Sequence, residues 1–95
     1  MTHRDYFGAE RIDLATVQFT PELLRSVPPH VARHYRVLPV FEESATSLGV
    51  ALADPSDLDV VDGVHATLHR DLVLRVADAQ QIDEFIQRLY GEHEP

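Results

Sequence analysis

Ninety-five residues, 44% of them hydrophobic and none of them cysteine, make one domain whose fold rests on packing rather than on disulfides or thiolate metal sites. Eight arginines, no lysine and sixteen acids give a formal charge of -8, which opposes nucleic-acid backbones and anionic lipid and withholds the lysine that a P-loop needs. The glycines are scattered, at positions 8, 49, 63 and 91, so no dinucleotide-binding loop is present, and no apolar run reaches membrane-spanning length.

In chain order, residues 1–11 are polar and aperiodic and read as a flexible tail, after which Ile12, Leu14 and Val17 offer themselves to a surface. Thr20 followed by Pro21 predicts a capped helix through Leu23, Leu24 and Val27. The pair Pro28–Pro29 stops that helix and starts another, ending at Tyr35. "RVLPVFEE" reads as a strand, and Pro39 inside it predicts an edge position or a bulge, because proline donates nothing to a ladder. "ESATS" reverses the chain into "LGVALAD", whose alternation puts Leu48, Val50 and Leu52 on one face and Gly49, Ala51 and Ala53 on the other. The small face invites a closely packed helix.

From Pro55 to about Leu68 the period becomes helical, with Val60, Val61, Val64 and Leu68 in one stripe. Asp54, Pro55 and Asp57 suit the N-cap, the first helical position and the acid three residues on, so the acids of "DPSDLDVVDG" are read as a helix start. "DLVLRVA" predicts a third strand, with Leu72, Leu74 and Val76 facing together. The last helix is clearest: Asp78 and Gln81 as an N-terminal box, Ile82, Phe85, Ile86 and Leu89 on one face, and Gly91 as its close, leaving 92–95 as a tail. The expected fold is α/β (α+β), a small three-stranded mixed sheet with four helices in the order ααββαβα, its second and third strands parallel through a right-handed crossover.

Chemistry has few footholds. "DPSDLDVVDG" lacks the spacing and the terminal bidentate glutamate of an EF-hand. Asp62, His65 and His69, at i, i+3 and i+7, are the alternative metal set, without a fourth ligand or the internal glutamate of H-E-x-x-H. Ser26, Ser44, Ser47 and Ser56 carry no base-and-orienter pattern. A different feature stands out: between Glu22 and Glu42 there is no acid, while Arg25, His30, Arg33, His34 and Arg36 all fall there. That is a local basic face on an acidic chain, suited to carboxylates of a partner and strengthened below about pH 6.5 by imidazole protonation.

"RIDLATVQFTPELLRSVPPHVARHYRVLPV", "LGVALADPSDLDVVDGV" and "VADAQQIDEFIQRLYG", in this order, resemble the N-terminal domain of type II secretion and type IV pilus assembly ATPases, the GspE and PilB family, over residues 12–91. The resemblance implies a docking module without enzymatic activity or cofactor that joins a motor ATPase to the cytoplasmic part of an inner-membrane platform protein, GspL-like. It implies a cytoplasmic location, peripheral at the inner membrane through that partner, which agrees with the absence of a signal-peptide core in "MTHRDYFGAER". Cyclic di-GMP motifs in such proteins lie upstream of the matched part, and residues 1–11 are too short to hold them; a small sensor for cyclic di-GMP or a metal ion is the alternative reading. His69 stands where the family usually has a helix-ending glycine, which puts a left-handed position under a histidine.

Overall fold

The computed structural model describes residues 9–91 and the backbone of residues 4–5. Two short strands come first, β1 (Arg4–Asp5) and β2 (Ala9–Arg11). At residues 4–5 and 9–11 these strands replace the expected flexible tail, since strands of two and three residues are too short to show alternation and only their pairing reveals them; the rest of 1–11 and the tail expected over 92–95 lie outside the described residues. A 3₁₀ turn over Leu14–Thr16 follows, with Asp13 as its cap.

The helices begin where local chemistry places them. Thr20 Oγ1 accepts the Leu23 amide at 3.1 Å, and Pro21 opens α1 (Pro21–Arg25). Pro29 opens α2 (Pro29–Tyr35), which ends on Arg36 in the left-handed region, at φ 54°. Next come β3 (Leu38–Ser44), β4 (Ser47–Leu52), α3 (Leu58–Leu68), β5 (Asp71–Val76) and α4 (Ala79–Tyr90).

All five strands join one mixed sheet in the order β1-β2-β5-β4-β3. The α+β class, the four helices and the expected ααββαβα order all hold, but the sheet has five strands rather than three because β1 and β2 extend it beyond β5. β4 and β5 are parallel, with Leu48, Val50 and Leu52 opposite Leu72, Leu74 and Val76. β3 lies at an edge, antiparallel to β4, and its register shifts between Pro39 and Phe41, so the proline sits both at an edge and beside an irregularity.

One hydrophobic cluster holds these layers together, with Leu14, Val27, Leu38, Leu48, Val64 and Ile82 almost fully withdrawn from water. Three local expectations need correction. α3 starts at Leu58, capped by Asp57 through the Val60 amide, whereas Asp54 caps a preceding turn through the Ser56 amide and hydroxyl. Pro55 is buried in that turn and is not in the helix. Gln81 does not close a box on α4; its side chain reaches back to accept the Leu14 amide and to donate to Asp13 Oδ1.

The small face of β4 is not covered by a helix at Gly49. The Phe41 ring lies over that glycine, so close that a β-carbon there would stand 2.4 Å from Cζ, and the Arg75 guanidinium lies 5.1 Å from the ring centre on the same side.

Candidate functional site: an arginine and histidine surface on the second helix

α2 runs between α3 and α4, so its basic residues are displayed beside two partners that the linear sequence does not reveal. Toward α3 the contact is tight. A β-carbon on Gly63 would meet the Tyr35 ring and hydroxyl at 2.6 to 2.8 Å, so the absent side chain lets the two helices approach. His34 stands edge-on to Tyr35, ring centres 4.6 Å apart, and remains exposed.

Toward α4, two of the five predicted residues are engaged. Arg36 donates through Nε and Nη2 to Oδ1 and Oδ2 of Asp83, at 2.9 and 2.5 Å, a bidentate pair on the surface. That hydrogen bond, and then the carboxylate charge, hold the Arg36 guanidinium above its ordinary value. Arg33 donates to the carbonyl of Gly91 at 2.9 Å, where α4 ends with φ 75°. Arg25 and His30 are exposed and have no hydrogen-bond or ion-pair partner among the described residues.

The stretch without acids is therefore real in sequence but partly neutralised in space, because Asp83 comes from 47 residues away. Sequence spacing puts Asp83 next to the buried Ile82 on α4, but nothing in the pattern says which helix lies alongside.

The alternative metal set is not assembled. His69 is the left-handed C-cap of α3 (φ 57°), and His65 Nε2 lies 3.9 Å from Asp71 Oδ1 rather than joining Asp62 and His69. Among the described residues no three histidine, aspartate or glutamate side chains converge as a cation would require. The His69 backbone does take the left-handed conformation that its position implied.

Clefts are shallow and mixed. One of about 400 Å³ is lined by Arg11, Ile12, Asp13, Asp78 and Gln81, so two carboxylates oppose an anion there. Another, of about 180 Å³, joins Tyr35 and Arg36 to Asp54 and Asp57. Two features escaped the sequence reading. Arg70, directly after the left-handed His69, grips the β3–β4 hairpin by donating Nη2 to Glu42 Oε2 at 3.1 Å and to the Ser44 carbonyl at 2.8 Å. Tyr90 donates its hydroxyl to the carbonyls of Val27 and Leu24, at 2.9 and 3.3 Å, tying α4 to the end of α1.

With this geometry in view, the chain is matched over residues 7–95 by the model of the MshEN domain. It is 33% identical over 89 residues to the type IV pilus assembly ATPase PilB of Myxococcus xanthus (strain DK1622), a match covering 94% of this chain and 16% of that protein. Its fold is similar to a structure of MshE with cdg, with TM-score 0.74 and 23% identity over 84% of this chain and 58% of that one. The N-terminal domain of XpsE is similar at TM-score 0.70 and 24% identity, covering 85% of this chain and 57% of that one. At such identities these two structures establish the fold alone. Among the described residues no helix is long and apolar enough to cross a membrane.

Proposed function

Because the chain belongs to the MshEN domain family, the N-terminal domain of type II secretion and type IV pilus ATPases, we propose that it is a docking module without catalytic activity of its own. It couples a motor ATPase to the cytoplasmic domain of an inner-membrane platform protein and so works in the cytoplasm at the membrane surface. The observation that carries this reading is the surface of α1 and α2: Arg25, His30 and His34 stand exposed beside Arg33 and Arg36 on a chain that is otherwise acidic. Arginine suits paired recognition of carboxylates, so an acidic surface is the fitting partner.

Arg33 and Arg36 contribute in a second way. Their bonds to Gly91 and Asp83 fix α2 against α4, so the contact surface is held rigid by the same residues that supply part of its charge. Arg25 and His30 are the cleaner test, since reversing them disturbs no bond among the described residues. The double substitution Arg25→Glu, His30→Glu weakens capture of the platform domain in a pull-down and leaves the melting temperature in place; unchanged capture removes this surface from consideration.

A second reading, a sensor for cyclic di-GMP, is favoured by the likeness to MshE with cdg. The arginines of α2 would then meet a dianion. Calorimetry with cyclic di-GMP separates the two, because docking alone gives no heat.

A further inference from the structure

The basic residues of the docking surface are not equally available. Arg25, His30 and His34 are exposed, but Arg36 gives both Nε and Nη2 to Asp83, the bidentate geometry with which a guanidinium receives a partner's carboxylate. That carboxylate comes from α4, 47 residues on, and stands outside the buried Ile82 and Ile86 face of the helix. Asp83 therefore occupies the place on Arg36 that an acidic partner wants.

The pair is placed for exchange rather than for holding the fold. Both members lie at the surface, the Arg36 side chain 56% and the Asp83 side chain 51% exposed, and exposed ion pairs are weak because water and salt compete for both charges. Arg36 is also the left-handed residue on which α2 ends, so no further helical turn follows it. Arg70 is the opposite case: its side chain is 17% exposed, and its Nη2 is shared among Glu42 and the carbonyls of Ser44 and Ser47. That arginine is built into the hairpin, whereas Arg36 among the described residues bonds to one carboxylate on the surface.

We propose that Asp83 is an internal competitor for the docking surface: a partner's carboxylate displaces it from Arg36, and the free chain binds more weakly for having it there. This rests on the docking reading above. The bond steadies α2 against α4 while the surface is empty and is given up when the surface fills. A carboxylate added to the remaining Nη1 edge of Arg36 would stand beside Asp83, like charge against like, so exchange is favoured over addition. The sign is distinctive: losing Asp83 strengthens docking, although it removes a contact that steadies the surface.

The test titrates the ¹⁵N-labelled 95-residue chain with blocked hexaglutamate at low salt, followed by NMR. The peptide shifts the α2 amides of the parent, and Arg25→Glu, His30→Glu weakens it. Asp83→Ala tightens binding about two- to fivefold, the range that an exposed ion pair allows. Glu84→Ala removes the same charge from the next position of α4, which has no hydrogen-bond or ion-pair partner among the described residues, and tightens binding less. Combining Asp83→Ala with Arg36→Gln abolishes the gain. In the parent the Arg36 Nε–H signal moves on saturation and ends where it ends in Asp83→Ala. Equal gains from Asp83→Ala and Glu84→Ala, a gain that survives Arg36→Gln, or an Nε–H signal that stays in place on saturation each overturn the exchange and leave the docking surface standing. Hexaglutamate that leaves the α2 amides unmoved removes the docking surface and the exchange with it.

Discussion

Replacing Tyr90 with phenylalanine removes the hydroxyl that ties α4 to the last residues of α1 while keeping the ring. The hydroxyl proton is directed at the carbonyls of Val27 (2.9 Å) and Leu24 (3.3 Å), so the substitution leaves those acceptors short of a donor at the cost of about 1 kcal/mol at neutral pH. Burial also pushes the Tyr90 phenol up to about 12 from its ordinary 10. The folded chain then holds this proton more tightly than the unfolded chain does. That contribution is whole below pH 10 and is lost as pH rises through 12. The full difference corresponds to ~2.7 kcal/mol, of which half, ~1.4 kcal/mol, is lost by about pH 11, and about 1 kcal/mol is expected there because the ring is only partly removed from water. Urea denaturation of both proteins at pH 7 and near pH 11 reads both effects. The parent should lead Tyr90→Phe by about 1 kcal/mol at pH 7 and lose most of that lead near pH 11, the other tyrosines cancelling in the comparison. Equal stability at pH 7, or parallel decline of the two proteins toward pH 11, would refute the argument.

Asp57→Ala should lower the urea midpoint by the equivalent of about 1 kcal/mol through loss of the α3 cap, whereas Asp59→Ala should cost only a few tenths. His69→Gly should raise the melting temperature, since glycine accepts the left-handed cap at φ 57° with about 1 kcal/mol less strain; Arg36→Gly should bring no such gain, because it also breaks the bidentate bond to Asp83. Gly49→Ala should destabilise by about 1 to 2 kcal/mol by displacing the Phe41 ring, and proton NMR should show Phe41 moving away from Arg75.

What the sequence made legible was whatever is encoded within one turn or one alternation. Thr20–Pro21, Pro29, the Leu48-Val50-Leu52 face and the Ile82-Ile86 stripe each carry their own local signal, and each appears in the structure as read. Features settled by distant neighbours were not legible. β2 exists because β5 offers it an edge, and Gln81 leaves its expected cap because Leu14 and Asp13 lie within reach from the other end of the chain. The local rule points to Asp54 as the cap because Asp54-Pro55-Ser56-Asp57 has an acid three residues on, whereas the true cap Asp57 is followed at that distance by Val60, and only the turn at Pro55 moves the helix start. The candidate surface divides the same way: the run of arginines and histidines was visible, while the Asp83 and Gly91 contacts that tie down two of them were not.

The most direct measurement of the docking account is titration calorimetry of the purified chain with the cytoplasmic domain of the proposed inner-membrane platform protein, run at low and at high salt for the parent and for Arg25→Glu, His30→Glu. The account predicts saturable binding that weakens with salt and is reduced at least about tenfold by the double reversal, as loss of about 1.4 kcal/mol would give. Binding that ignores both salt and the reversal would contradict it, as would heat from cyclic di-GMP with none from the platform domain.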